Sequence, residues 1–155
     1  MGILVQKYGG SSVGDALKIA AVAQRVVDAR AAGNQIAVVV SAMGKTTDQL
    51  IALAQSVTST PEPRELDLLL STGEIVSSTL MAMALREIGV PSISLGGAQA
   101  GIRTDMIHGA ASIVHLDPAR IRRELDDGVD SYVCSVCHPT GDNHQRVETL
   151  DAIVT

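Results

Sequence analysis

The sequence predicts an α/β fold, a three-layer αβα sandwich with a largely parallel sheet. Short apolar runs alternate with longer stretches of helical period, the pattern of strands joined by crossover helices. Residues 36–40 form a continuous, mostly β-branched run, as expected of a strand buried on both faces. Glycines and prolines bound most of these runs and mark the turns between them.

The elements follow in order. An apolar run at 3–5 ends in Gln6-Lys7-Tyr8, then Gly9-Gly10-Ser11-Ser12, which reads as strand, turn and helix start. The helix covers about 15–32, where Ile19, Val22, Ala23, Val26 and Val27 recur at helical spacing and Gly33-Asn34 supplies the stop. The strand 36–40 ends at Ser41-Ala42-Met43-Gly44, and a second helix runs over about 47–57. Pro61 and Pro63 mark a loop. A long helix follows over about 65–87, Gly89 stops it, and Pro91 opens a strand at 92–95. The segment 96–109 is glycine-rich and reads as irregular. A short strand is expected at 112–115. Asp117-Pro118 then opens a helix, with Asp as N-cap and Pro at the first helical position, and that helix ends at Gly128. A last strand is expected at 131–136. The expected organisation is one lobe over 1–137 and a polar C-terminal tail over 138–155, in part without fixed structure.

Composition narrows the function classes. At 155 residues the chain has the size of one domain, and 46% hydrophobic with 19% charged residues is a globular balance. A net charge of -5 with 2 Tyr, no Trp and no Phe leaves neither a basic footprint nor stacking aromatics for nucleic acid. No uninterrupted apolar run approaches the ~18 residues of a membrane span. The N-terminus lacks the pattern of a secretion signal, and two Cys in such a chain point to reduced thiols in the cytoplasm.

Three segments could carry chemistry. Lys7-Tyr8-Gly9-Gly10-Ser11-Ser12 sits where a strand hands over to a helix. Glycines there let backbone N–H groups approach an anion, the helix N-terminus favours negative charge, and a Lys at the strand end can reach a transferring phosphoryl group. The Walker spacing is absent, and a plain turn with a surface Lys fits the local pattern equally well. Ser41-Ala42-Met43-Gly44 with Thr46-Thr47 lies at the carboxyl end of the next strand, the side on which open α/β sheets bind ligands. There Thr46 or Thr47 could equally serve as a helix cap. Gly73-Glu74 interrupts an apolar helical stretch, where Gly costs roughly 1 kcal/mol, so a packing or ligand role is expected. A partly exposed helical Glu is the plainer alternative for Glu74.

The motifs KYGGSSVGD, VVVSAMGKTTDQL, LLLSTGEIVS and QAGIRTD with HGAASI together resemble the aspartokinases, in order and spacing, over roughly residues 2–128. The resemblance is to the N-terminal lobe of that family's catalytic domain, which has the amino-acid-kinase fold. It implies ATP-dependent, Mg-assisted phosphorylation of L-aspartate to 4-phospho-L-aspartate. By position, Lys7 would stabilise the transferring phosphoryl group. Gly9, Gly10 and Ser11 would line the phosphate loop with Ser41 beside it, and Thr47 and Glu74 would hold the aspartate. Residues 99–105 would match a family loop on the substrate side.

The pattern then departs. Where the family has a Gly-Phe-x-Gly turn, this chain reads Ser135-Val136-Cys137-His138, and Val147-Glu148-Thr149-Leu150 leads into no Gly-Arg-Gly-Gly-Ser-Asp motif. The resemblance therefore implies a chain truncated before the nucleotide-binding lobe, with the isolated chain a very poor kinase or none. A non-catalytic partner, carrier or metal-binding protein built on the same lobe is the alternative. A sheet without its neighbouring strands has open edges, so a homo- or hetero-oligomer is expected. Cys134, Cys137, His138 and His144 have spacing that zinc could use. The Cys-x-x-Cys pair could equally be redox-active, or a drifted strand with small buried thiols. Arg120, Arg122 and Arg123, beside Glu124, Asp126 and Asp127, read as a solvated helix face.

Overall fold

The computed structural model describes residues 2–126 and the backbone of residues 131–135. Its elements are β1 (Ile3–Tyr8), a 3-10 turn (Gly10–Val13), α1 (Ala16–Ala31), β2 (Gln35–Val40), α2 (Thr46–Val57), α3 (Pro63–Glu87), β3 (Ser92–Gly96), β4 (Ile102–Thr104), β5 (Ile113–Leu116), α4 (Ala119–Asp126) and β6 (Ser131–Ser135). Four strands form one parallel sheet in the order β1-β2-β6-β3, and β4 pairs antiparallel with β5 in a separate hairpin.

The alternation of β2 sorts two cores. Ile36, Val38 and Val40 face α1 and α3, packing with Val22, Val26, Met81 and Leu85. Ala37 and Val39 face the other way, toward Leu95, Ile102, Ile121 and Leu125. Side chains on a strand alternate between faces, so a continuous apolar run is what a strand covered by two layers requires. The three layers are thus α1 with α3, the sheet, and α4 with the β4–β5 hairpin. This is the sandwich expected from the sequence.

Local signals explain the helix ends. The Asp15 side chain accepts a hydrogen bond from Lys18 N at 2.9 Å and caps α1, and Gly33 follows it at φ 90°. Glu62 caps α3 through Glu65 N at 2.9 Å, a bond that holds its carboxyl below the ordinary range. Pro63, read above as part of a loop, instead occupies the first turn of α3, where its missing N–H costs nothing.

Helix α3 is long and apolar enough, by length and composition alone, to cross a membrane. Counting uninterrupted apolar residues does not register this, because Ser71, Thr72, Glu74, Ser77, Ser78 and Thr79 break the run. In the structure α3 is a core helix. Leu70, Gly73, Ser77, Met81 and Leu85 make a buried stripe at helical spacing against the sheet and α1. Arg86 Nε donates to Ser92 O at 2.7 Å and Ser92 Oγ to Ala82 O at 3.2 Å, fixing its last turns at the start of β3. Its N-terminal half therefore stands at the carboxyl ends of the strands.

One strand departs from the expectation. β4 lies inside the segment 96–109 that reads as irregular. It has three residues, of which Ile102 alone is buried, too short for a period-2 signal. Pairing with β5, not local pattern, makes it a strand.

Candidate functional site

β1 and β2 end side by side, with Lys7 opposite Val39 and Tyr8 opposite Val40. Their two following loops join. Ser41 N donates to Tyr8 O at 3.2 Å, and Gly44 N to Gly10 O at 2.9 Å. A Cβ on Gly10 would stand 2.5 Å from Ala42 O, so only glycine permits this approach. Gly44 turns the second loop at φ 50°. The glycine loop and the Ser41–Gly44 loop are one body at the carboxyl edge of the sheet.

Helix α3 adds to that body. A Cβ on Gly73 would lie 3.1 Å from Thr46 Cγ2 and 3.2 Å from Ala42 Cβ. The glycine is there because the helix crosses close above the loop. Its neighbour Glu74 is 8% exposed, so the alternative of a partly exposed helical Glu is set aside. A carboxylate is buried only where pairing or hydrogen bonding offsets its desolvation. Thr47 is exposed in the first turn of α2. Neither Thr46 nor Thr47 caps that helix: the N-cap is Lys45, with no side-chain cap bond, and Thr46 instead packs its methyl on Gly73.

The remaining candidates are less tightly gathered. Lys7 occupies a position of β1 in line with Ile3 and Val5, which pack on the α4 side. Glu74 belongs to the α3 layer, so the two reach the strand ends from opposite faces. Gly9 has open space where a Cβ would be, and Ser11 and Ser12 are exposed. The α1 terminus is less open to an anion than the sequence suggests: a 3-10 turn intervenes, and Asp15 already takes the Lys18 N–H. Tyr8, packed against the α1–α3 core, has its hydroxyl pKa raised by burial, with Arg25 opposing the shift.

The sequence reading missed a strap. The loop between β4 and β5 leaves the α4 side of the sheet and reaches α3. Asp67 Oδ2 accepts from Gly109 N at 2.9 Å and lies 3.3 Å from His108 Nδ1. Asp105, inside the 99–105 loop, accepts from Ile107 N and Ser112 N and closes the strap on itself. The carboxyl edge is thereby bridged from one face to the other. His108 three residues past an Asp was the available signal, but a contact spanning 42 residues is not local.

Cys134 lies in β6, opposite Val39 and Leu95, while Cys137, His138 and His144 lie outside the described residues, as does the expected boundary at 137. No group of three or more His, Cys, Asp and Glu that could hold a metal occurs among the described residues. Arg122 and Arg123 are exposed and Arg120 is partly so, as expected of a solvated face, and Arg120 and Arg123 also line a cleft with Arg103 and His115. The hairpin brings those partners to α4, which helix periodicity cannot show.

Residues 2–150 match the sequence profile of the Amino acid kinase family. The chain belongs to this family. Among its relatives is the aspartokinase of Geobacillus stearothermophilus, 55% identical over 128 residues, which are 83% of this chain and 31% of that protein. The aspartokinase of Corynebacterium glutamicum is 46% identical over 151 residues, 97% of this chain and 34% of that protein. The crystal structure of aspartate kinase from Synechocystis superposes with a TM-score of 0.74 at 46% identity, over 88% of this chain and 22% of that one. The chain thus spans about a third of the length of the curated relatives it matches. The matched stretches contain the glycine loop, the Ser41–Gly44 loop and Glu74, so the joined body described above lies within the family resemblance.

The strap gives a direct test of its anchor. Asp67→Ala should speed amide exchange at Gly109 by about tenfold, the loss of one hydrogen bond to a charged acceptor, with core amides of β2 unchanged. Unchanged exchange at Gly109 would show that Asp67 does not hold the strap.

Proposed function

We propose that this chain forms the substrate-side lobe of an aspartate kinase, in the cytoplasm, and that by itself it is inactive or very weak. The reaction is transfer of the γ-phosphoryl of ATP to the side-chain carboxylate of L-aspartate, giving 4-phospho-L-aspartate. The observation that carries the reading is the joining of two small-residue loops and a buried Glu at one sheet edge. The open face at Gly9 and the exposed Ser11 suit a phosphate held by backbone N–H groups and a hydroxyl, with Ser41 next to them. Gly10 serves differently: it is packed on Ala42 and sets the loop's shape. When bound, Mg supplies charge neutralisation on the phosphates.

The roles follow from charge. Lys7 offsets charge on the transferring phosphoryl group from the α4 face of the sheet. Glu74 holds the substrate ammonium from the α3 face, and Thr47 gives it a hydroxyl at the rim. In-line transfer needs both substrates fixed at once, since phosphoryl transfer is mostly positioning and electrostatic stabilisation. These 155 residues present the acceptor side of that arrangement. The Cys-x-x-Cys-His segment has no part in this reading, and zinc is not invoked.

Aspartyl phosphate trapped as the hydroxamate, with Mg-ATP and L-aspartate, tests the reading. Turnover no greater than that of Lys7→Ala is expected for the purified chain. Turnover that vanishes in Lys7→Ala would show a complete site and overturn the expectation of weakness.

A second observation favours a partner role for the same lobe. The outer face of α3 exposes Leu68, Ile75, Val76 and Met83, the last at 64%, and among the described residues β1 and β3 are the edge strands of the sheet. Apolar surface and unpaired edges of this kind are normally covered. Light scattering should therefore give a dimer or larger species. A monodisperse monomer would defeat the partner role.

A further inference from the structure

We infer that the cleft between the β4–β5 hairpin and α4 is a second binding site, for a phosphate-bearing small molecule. The cleft has a volume of about 410 Å³ and is lined by Arg103, His115, Arg120 and Arg123, with Gln99 and Asp117 among its other walls. That volume is in the range of small-molecule sites. It is lined in part by the segment after β3, the edge strand farthest from β1 in the sheet order. The inference does not depend on the aspartate kinase reading.

The charge arrangement is the argument. In a chain of net charge -5, three guanidinium groups and an imidazole converge on one cleft. Arg103 and His115 are direct cross-strand partners, a pairing that is destabilising when both carry charge. Arg120 and Arg123 come from one face of α4. Arg120 is oriented by its bond from Nε to Glu124 Oε1 at 2.6 Å. Among the described residues, no carboxylate lies within ion-pair distance of Arg103 or Arg123. Asp117, the carboxylate in the wall, spends Oδ1 on the Ala119 N–H at 2.9 Å.

The fold holds the two cationic elements together tightly. Gly101 sits at φ 86°, and a Cβ there would stand 2.0 Å from Asp117 O. Asp117 N donates to Gly101 O at 2.9 Å. This clamp joins the start of the hairpin to the start of α4, so the two elements that carry the cations keep their spacing. Guanidinium forks match the oxygens of phosphate and offer paired donors. A multiply charged phosphate offsets the excess of positive charge better than a single carboxylate does.

Titration calorimetry with inorganic pyrophosphate, at constant ionic strength and without Mg, tests this on the full chain. Saturable binding is expected, weakened about tenfold by Arg103→Ala and by Arg123→Ala, one charged hydrogen bond each. Arg122→Ala removes the same charge from an exposed position on α4 outside the cleft, and should leave binding unchanged. Absence of saturable binding would overturn the proposal, as would an equal loss in Arg122→Ala, which marks general charge attraction. Loss confined to Lys7→Ala would place the anion at the glycine loop and overturn the second site while leaving the kinase reading intact.

Discussion

The contact of Gly10 with Ala42 is the constraint from which the candidate site is built. The backbone of the first loop lies against a carbonyl of the second, with 2.5 Å from that oxygen to where a Cβ would stand. No other residue allows this without moving one of the loops. Because Gly44 N also bonds Gly10 O, the ends of β1 and β2 are tied beyond the sheet ladder itself. Gly73 then lets α3 settle on Ala42 and Thr46, which carries Glu74 to the same edge. Gly10 and Gly73, far apart in sequence, thus remove side chains so that the two loops and α3 can meet, while Gly44 supplies a left-handed turn.

That arrangement links fold to chemistry. A parallel sheet presents all its carboxyl ends at one edge, and β2 at its centre is held by apolar layers on both faces. Rigid strands therefore aim the loops, and the loops need little order of their own. The strap from the hairpin ties the β4–β5 loop to Asp67 on α3.

Much of this was legible in the sequence, for particular reasons. The run at 36–40 named its own environment, since a strand with no polar alternation has to be covered twice. Gly33-Asn34 marked the end of α1 by the chemistry of helix stops, while the capping role of Asp15 emerged only in the structure. Gly73-Glu74 was visible as a broken local rule, and both halves of the anomaly have a structural cause. What could not be read depends on distant partners. β4 exists because β5 pairs with it. Asp67 meets Gly109 across a long stretch of chain, and the partners that Arg120 and Arg123 meet across the cleft belong to another element. Pro63 misled in the opposite way: a residue that ends helices also starts them.

The most direct test of the joined-loop account is Gly10→Ala, followed by denaturant unfolding and amide chemical shifts. The account predicts a loss of about 1–3 kcal/mol, the usual cost of forcing an atom into a filled space. It also predicts shift changes that spread into residues 41–47 and to Gly73. A variant as stable as the parent, with changes confined to residues 9–14, would show that the two loops do not form one body.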